Sequence, residues 1–524
     1  MRLHLLIGMT LLLADCVACG PGPAPPPPRN TPSPGASVGS PIPVASATSS
    51  GTPGNGSCAS SSLLVTVEVG SACSSPGPLI NVAIVVSGTA TGAIGPSFIG
   101  FSYEKANLSS GLFQASDADL VGLFTRLGPS FLRIGGNSVD STFWDPTGPG
   151  GVTGKTGPSD ITRLASLAQA ANWKVLYGIN LGGEPYPPTA AALASAASEA
   201  ANVAKTLGSS LYGFEIGNEP DLYHQNGHRP ASYNVQSYIS EFDAYAAAIK
   251  AQVPNAAMTG PASNYDTTGF SIPFAQAEGT KIRLLNHHFY MGNGQSPTST
   301  IAVLLAPPST NLITKLQALQ TAAKSNNIPD GYRIAETNNF YNSGAPGVSD
   351  TFASALWAID YIFTNAQNGS SGLNFHTNGD GTGYTPIADN LMGSVVGVRP
   401  EYYGMLLVAL AGQGTVAQTQ VSAGTMNVTA YALGSTPASI SSVIVVNKGA
   451  TNLNATVRLP MPAQSATLTL LTAASVSATS GETIGGGTIG LNGSVALTPT
   501  PLTVTGGVIT LSLPAGSAGL VQIK

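Results

Sequence analysis

The sequence predicts a (β/α)8 barrel that is joined to an antiparallel β-sandwich. Through the middle of the chain, eight short apolar segments alternate with alanine-rich helical segments, which is typical of a barrel of parallel strands. Beyond about residue 410 the helical segments stop, and apolar residues alternate with Thr, Ser and Asn between glycine turns. A similar β pattern precedes residue 90. We therefore expect the sandwich to be built from both chain ends.

The composition is that of a large folded protein with few charges. The 524 residues, 52.8 kDa in mass, are 43% hydrophobic and only 9% charged. This excludes a disordered chain, and the net charge of −5 argues against nucleic acids and heparin-like polyanions as partners. The length allows two or three domains.

The first residues have the pattern of an export signal. A short positive start precedes an apolar stretch of signal-peptide length, so residues 1–19 are expected to be a signal peptide. The stretch that ends at Cys19 resembles a bacterial lipoprotein cleavage box, with Cys19 a better lipidation candidate than Cys16 because Ala18 precedes it. Lipidation and plain secretion both stay open. In either case we expect an exported protein, extracellular or held at the cell surface.

A stalk and a β-rich segment follow the signal. Residues 20–58 are rich in Pro, Gly and Ser and are expected to form an extended linker. Cys58 and Cys73 are predicted to form a disulfide, because free thiols are uncommon in exported proteins. Residues 59–92 are predicted to supply the first sandwich strands, one at residues 64–69 and one at residues 82–86.

The barrel is predicted over residues 93–411 and the rest of the sandwich over residues 412–524. The eight predicted barrel strands are Ser97–Tyr103, Phe131–Gly135, Lys174–Asn180, Leu211–Asn218, Ala257–Pro261, Ile282–Tyr290, Tyr332–Thr337 and Gly372–Thr377. The clearest helical segments between them are Ala190–Leu207, Tyr238–Ala251, Ile313–Ala323 and Thr351–Asn365. The clearest later strands are Ile440–Val446, Ala466–Leu471 and Val508–Leu513.

Two glutamates stand at the ends of buried strands where a barrel carries its function. Glu219 follows the fourth predicted strand and Glu336 lies at the end of the seventh. Strands four and seven lie across the barrel mouth from one another, so the two carboxylates can converge. Cleavage of a glycosidic bond needs such a pair, one acid to protonate the leaving oxygen and one carboxylate to attack. A single glutamate here would more simply be a solvated loop residue or an ion-pair partner.

The surrounding motifs resemble a known family. Gly217-Asn218-Glu219-Pro220 on strand four, with a glutamate ending strand seven, resembles the signature of the retaining (β/α)8 glycosidases. Within that clan, residues 100–104 (Gly-Phe-Ser-Tyr-Glu), residues 132–137 (Leu-Arg-Ile-Gly-Gly-Asn) and the split sandwich resemble glycoside hydrolase family 79. This family contains β-glucuronidases and heparanases.

The resemblance implies a division of labour. It makes Glu219 the acid/base and Glu336 the nucleophile, and Asn218 would contact the 2-hydroxyl of the sugar. Tyr290 resembles the tyrosine that holds the nucleophile ionised, although packing in the core is an open alternative. Because His287 and His288 face opposite sides of their strand, only one can line the pocket, and we assign His288.

Further residues resemble the family's pocket. Tyr341, Gly344, His376 and Tyr384 correspond to the side that holds the uronic acid, and Glu104 to the residue that contacts outer ring hydroxyls; loop hydration is the alternative for each. Arg133 could orient the nucleophile or Asp140, or form a structural ion pair.

The expected substrate is a glycan that ends in glucuronic acid. The basic residues are scattered, so heparan sulfate is not expected. No phosphate-cradling loop or metal-ligand spacing is present, and no cofactor or metal is expected. Two alternatives stay open, a retaining glycosidase of neutral sugars and a surface carbohydrate-binding protein without catalysis.

Overall fold

The computed structural model describes residues 79–524. Several predictions lie outside the described residues: the signal peptide, the linker, lipidation at Cys19, the Cys58–Cys73 disulfide and the β segment at residues 64–69. No helix among residues 79–524 is both long and apolar enough to cross a membrane.

A closed barrel of eight parallel strands forms the centre of the molecule, which confirms the predicted fold class. Each strand pairs with the next along the chain, and the eighth pairs with the first. Because the strands are covered on both faces, almost all of their residues are buried. Barrel strands 1 to 8 are Ile99–Glu104, Phe131–Gly135, Lys174–Ile179, Leu211–Ile216, Met258–Ser263, Leu284–Asn293, Tyr332–Tyr341 and Leu373–His376.

Nine α-helices in the described part of the chain lie mostly between these strands. Several begin at a side chain that accepts hydrogen bonds from the first free N–H groups, as Asn234 does from Gln236 and Ser237 at α4. The helices are α1 (Ala118–Arg126), α2 (Pro158–Ala171), α3 (Ala190–Leu207), α4 (Val235–Gln252), α5 (Ile272–Glu278), α6 (Ile301–Leu304), α7 (Thr310–Ser325), α8 (Phe352–Gln367) and α9 (Pro400–Ala411). Two small ribbons sit in the loops, Phe143–Trp144 with Lys155–Thr156 and Ile387–Asp389 with Val395–Val398.

Eleven further strands form one mostly antiparallel sheet that curls around an apolar core of its own. The first strand, Ile80–Ile94, pairs with Gly414–Ser422 and with Leu453–Arg458, so the sheet joins segments from both ends of the described chain. The others are Val428–Thr436, Ser439–Asn447, Ala466–Thr472, Thr483–Ile484, Thr500–Leu502, Val504–Thr505, Val508–Leu513 and Ser517–Ile523.

The ends of strands 4 and 7, near the two glutamates, differ from the prediction. Strand 4 ends at Ile216, because Glu219 adopts a left-handed backbone conformation (φ 51°) before Pro220. Strand 7 does not end at Glu336 but continues to Tyr341, since Asn338 and Phe340 still pair with strand 6. The register shifts between Ile334 and Glu336. The nucleophile candidate therefore lies within the strand, beside an irregularity of the ladder.

Candidate active site

The two predicted carboxylates converge at the mouth of the barrel. Glu219 is fixed by its backbone N–H, which donates to the carbonyl of Ala262 at 3.0 Å. One carboxylate oxygen of Glu219, one of Glu336 and one ring nitrogen of His288 all lie within 4.8 Å of one another. A separation of about 5 Å suits direct attack by one carboxylate, whereas about 6.5–9.5 Å leaves room for a water between sugar and base. The geometry fits the predicted roles of Glu336 as nucleophile and Glu219 as acid.

Glu336 is held in its ionised form by its neighbours. Arg133 donates from Nη1 to Oε2 at 2.7 Å, and the Tyr290 hydroxyl donates to Oε1 at 2.9 Å. Burial by itself would raise the pKa of Glu336, but the charges of His376, His288 and Arg133 and the bond from Tyr290 outweigh it and lower the pKa to about 2. Burial and the charge of Glu336 hold the pKa of Tyr290 well above its ordinary value, so Tyr290 stays a donor.

Arg133 links the nucleophile to a second buried glutamate that the sequence prediction missed. Glu215, on strand 4, accepts from Arg133 Nε at 2.8 Å and Nη2 at 2.6 Å, and from Asn286 at 2.6 Å. Asn218 Oδ1 accepts from Arg133 at 2.9 Å, so this hydrogen bond fixes the orientation of the Asn218 amide. A signal was available: Arg133 and Glu215 both lie within apolar runs of a charge-poor chain, and buried charges need partners of opposite sign. Asp140 instead accepts from Tyr223 and from the loop after strand 3.

The two adjacent histidines of strand 6 face opposite ways. His288 Nδ1 lies 3.0 Å from Glu219 Oε1, which puts it beside the acid. His287 contacts Ser263, Ser271 and Thr267 away from the site. Burial, followed by the charge of Lys315, holds the pKa of His287 well below its ordinary value, so His287 is neutral.

A cavity of about 700 Å³ opens over the carboxylates and is lined by most of the predicted pocket residues. Glu104, Tyr290, Tyr341, His376 and Tyr384 line it. Asn218 and His288 are not in the lining. His288 contacts Glu219, whereas the Asn218 side chain contacts Arg133 and Asn137.

Gly344 is buried behind the lining, where its neighbour Ser343 faces the cavity. Its φ is +82°, and a Cβ there would lie 2.9 Å from the backbone nitrogen of Tyr384. Gly344 therefore lets the loops after strands 7 and 8 approach closely and does not itself line the cavity.

His376 joins Glu104 to the nucleophile. Its Nε2 lies 3.6 Å from Glu104 and its Nδ1 lies 3.6 Å from Glu336. Burial would lower the pKa of His376, but the charges of Glu336 and Glu104 outweigh it and raise the pKa. Glu104 also accepts from the backbone N–H of Ser138 at 2.7 Å, which fixes it at the rim. This side of the cavity thus gains positive charge without a Lys or Arg in its lining.

The prediction missed the lining residues outside the barrel strands. Most of them lie on irregular loops, where Asn or Tyr has no distinctive pattern, and two, Asn311 and Lys315, lie on α7. These residues are Asn137, Leu222, Gln225, Asn264, Tyr265, Asn311, Lys315, Asn342, Ser343, Asn378 and Thr382.

Among residues 79–524, one cluster of side chains could hold a metal ion: Glu219, His288 and Glu336. The Arg133 guanidinium already lies 2.7 Å from Glu336 and would repel a second cation. The arrangement therefore fits a reacting pair of carboxylates better than a metal centre.

This fold, with carboxylates on strands 4 and 7, belongs to the structural class of the (β/α)8 glycoside hydrolases. The sequence model of the N-terminal domain of glycosyl hydrolase family 79 matches residues 162–362. Residues 162–362 therefore match the N-terminal domain of glycoside hydrolase family 79, the family that the resemblance of the motifs predicted.

Two curated relatives are both named β-glucuronidase. A β-glucuronidase of Aspergillus niger is 27% identical over 351 residues, which are 60% of this chain and 62% of that protein. A β-glucuronidase of Neurospora crassa is 26% identical over 348 residues, 59% of this chain and 60% of that protein. The match therefore spans about three fifths of the length of these relatives.

Solved structures share the fold at low identity. A 4-O-α-L-rhamnosyl-β-D-glucuronidase from Fusarium oxysporum is similar with a TM-score of 0.68 and 19% identity, over 84% of this chain and 100% of that chain. A family 51 α-L-arabinofuranosidase from Bifidobacterium longum is similar with a TM-score of 0.61 and 17% identity, over 86% of this chain and 100% of that chain.

Proposed function

We propose that this protein is a retaining β-glucuronidase that removes terminal β-linked glucuronic acid from glycans. The observation that carries the proposal is the pair of carboxylate oxygens, one from Glu219 and one from Glu336, within 4.8 Å of each other. That spacing supports a covalent intermediate and leaves too little room for an intervening water.

The reaction proceeds in two displacements. Glu336 attacks the anomeric carbon while Glu219 gives its proton to the leaving glycosidic oxygen, so the C–O bond breaks as the ester bond to Glu336 forms. Water then enters beside Glu219, which removes its proton as the water attacks the anomeric carbon and releases Glu336. Arg133 and Tyr290 keep the nucleophile ionised and fix its orientation through bonds of 2.7 and 2.9 Å.

The choice of a uronic acid rests on the side of the cavity nearer Glu336. Tyr341, Ser343 and Tyr384 bring hydroxyl groups there, and His376 adds positive charge. A sugar carboxylate can be held by such donors without a lysine or arginine. The names of the two curated relatives, both β-glucuronidases, support the same sugar.

A panel of aryl glycosides tests the sugar and the reaction class together. We expect 4-nitrophenyl β-D-glucuronide to be hydrolysed and the matching β-glucoside and β-xyloside to be turned over far more slowly. Turnover of only the neutral glycosides would replace the proposal with the neutral-sugar alternative. Binding of glucuronides without any turnover would replace it with a carbohydrate-binding protein.

The stereochemistry is tested on the same substrate. Proton NMR of the reaction should show the β-anomer of glucuronic acid before mutarotation. First appearance of the α-anomer would contradict the double displacement, because inversion requires a water between the carboxylates.

We also propose that the enzyme acts outside the cytoplasm. The amino-terminal segment that ends near Cys19 supports export, with or without a lipid anchor. Mass spectrometry of the amino terminus from membrane and soluble fractions separates the two cases. Recovery of the unprocessed chain in the cytoplasm would contradict both.

A further inference from the structure

The cavity has two halves that come from opposite sides of the barrel. Residues on or after strands 1, 2, 7 and 8 surround Glu336, and the other lining residues lie on or after strands 4, 5 and 6. Six of the latter lie on the side of Glu219, and we call them the acid-side half: Leu222, Gln225, Asn264, Tyr265, Asn311 and Lys315. Because the acid must reach the leaving oxygen, the leaving group lies beside Glu219. If the proposed function holds, the acid-side half therefore receives the aglycone.

The wall of this half is fixed to the loop of the acid. Asp221, two residues after Glu219, accepts from the backbone N–H groups of Asn264 at 2.9 Å, Tyr265 at 3.2 Å and Asp266 at 3.2 Å. With the bond from Glu219 N–H to the Ala262 carbonyl at 3.0 Å, the loops after strands 4 and 5 form one rigid unit. A binding surface that is already ordered loses little entropy when a ligand binds.

Tyr265 presents an aromatic ring on this rigid unit. Its backbone is held by Asp221, yet the residue is 53% exposed at the edge of the cavity. The C–H face of a pyranose can pack flat on such a ring, while its hydroxyls stay free for hydrogen bonds.

Lys315 and Asn311 supply those hydrogen bonds. They are four residues apart in α7 and therefore share one face of the helix. The Lys315 ammonium contacts the carbonyl of Tyr265 and lies 3.4 Å from Thr267 Oγ1. Because an ammonium has three donors, one is left for a ligand. Lys315 is the only Lys or Arg of the cavity lining within residues 79–524, which suits a neutral hydroxylated ring better than a sulfated chain.

We propose that the acid-side half is a sugar-binding aglycone subsite in which Tyr265 stacks on the ring and Lys315 donates to its oxygens. The substrate class is then a glucuronosyl oligosaccharide in preference to a small glucuronide. Tyr265 and Lys315 are the residues that determine this specificity.

The ratio of the kcat/KM values of two substrates tests the subsite. β-D-Glucuronyl fluoride has no aglycone ring, so its hydrolysis reports the sugar site and the nucleophile alone. The other probe is the better of two disaccharides, β-glucuronosyl-galactose and β-glucuronosyl-xylose. In Tyr265→Ala we expect the ratio of kcat/KM, disaccharide over fluoride, to fall about 10- to 100-fold, the usual effect of losing one contact group. Tyr265→Phe should keep the ratio near that of the wild type, and Lys315→Met should lower it about 10-fold.

The matched control is Tyr186→Ala, which removes a tyrosine that is 42% exposed and outside the cavity lining, and which should keep the ratio. An unchanged ratio in Tyr265→Ala and Lys315→Met overturns the subsite. An equal loss on both substrates also overturns it, because that result means a purely structural role. If the wild-type enzyme fails to hydrolyse the fluoride and every aryl glucuronide, the proposed function itself has failed, which is a separate result.

Discussion

At the scale of single residues, the proposed mechanism gives two glutamates different tasks because their neighbours differ. Glu336 is surrounded by Arg133, Tyr290 and His376, which favour the carboxylate. Glu219 has His288 at 3.0 Å and no Arg or Lys among its contacts in the described structure. The sequence pattern predicted both glutamates as candidates, since each lies at the end of a recognisable apolar run. It left the role of Arg133 open, because no pattern shows which of several carboxylates an arginine will reach.

Removal of the Tyr290 hydroxyl should change the pH dependence of catalysis. The active form of Glu336 is ionised, and its pKa of about 2 includes the hydrogen bond from Tyr290. Tyr290→Phe removes a contribution that lowers the pKa, so the pKa rises, by about one to two units for a bond to a charged group. Glu336 is then protonated at a higher pH, and the acidic limb of the kcat/KM profile should move upward.

The matched control is Tyr212→Phe, which deletes another tyrosine–carboxylate bond, to Asp330 at 2.7 Å, at the opposite end of the barrel. Its acidic limb should stay where the wild-type limb lies. An unmoved limb in Tyr290→Phe would contradict the role of this hydroxyl.

Replacement of each carboxylate should have a different signature. Glu336→Gln should abolish turnover of both aryl glucuronide and glucuronyl fluoride, because no nucleophile remains. Glu219→Gln should lower kcat/KM on a disaccharide about 10²- to 10⁴-fold, the usual range for a general acid. Its loss on the fluoride should be smaller, since fluoride leaves without a proton. Glu184→Gln, in a loop outside the cavity lining, is the control. Reversed signatures would exchange the two roles.

At the scale of elements, regular segments were predicted more accurately than their ends. Strand 2 and helix α3 have the predicted bounds. For α3 the reason is local, because Thr189 caps its first turn and Gly208 follows its last residue. Strands 6 and 7 are longer than predicted, since they keep pairing past the barrel as far as Asn293 and Tyr341. That pairing depends on contacts between strands that are distant in sequence, which no local pattern contains.

Strand 2 ends with a glycine that makes room for the catalytic network. A Cβ at Gly135 would lie 2.3 Å from Cζ of Arg133, a side chain that is fully buried and bonded on every side. Gly135→Ala should therefore displace the guanidinium from Glu336 and lower kcat/KM about 100-fold, as a displacement of about 1 Å can do. Circular dichroism should show the fold retained, with unfolding about 1–3 kcal/mol easier. Gly88→Ala, where a Cβ meets nothing within 4 Å, is the control. Wild-type kcat/KM in Gly135→Ala would show that Arg133 can adjust.

At the scale of the whole molecule, the barrel and the curled sheet share apolar packing. The prediction treated them as two folded units, and the sheet does have a core of its own. A second set of sheet residues, including Tyr431 and Leu520, belongs to the core of the barrel. Phe363 of α8 stacks on Tyr431 with ring centroids 4.2 Å apart and an angle of 3° between the rings. Which face of a strand meets a helix of the barrel depends on the assembled fold and is not contained in the alternating pattern itself.

A buried ion pair joins the two parts at this contact. Asp360 of α8 accepts from Lys448, Thr429 and Tyr431, all of the sheet region, and the side chains of Asp360 and Lys448 are almost fully buried. Loss of one partner leaves a buried charge unpaired, which costs about 3–5 kcal/mol. Lys448→Met should therefore lower the free energy of unfolding, measured by urea denaturation, by that amount. The value of kcat/KM in buffer should stay the same, because Lys448 lies outside the cavity lining.

The double variant Asp360→Asn with Lys448→Met separates the contribution of the two charges to stability from the contribution of side-chain packing. With both charges removed, the desolvation cost of the unpaired carboxylate disappears, and part of the lost stability should return. If the barrel and the sheet depend on each other, tryptophan fluorescence and circular dichroism should give one coincident transition in the wild type and in both variants. Two separate transitions in the wild type would show that the parts unfold independently. A double variant as unstable as Lys448→Met would mean that the aliphatic stem of Lys448, and not its charge, joins sheet to barrel.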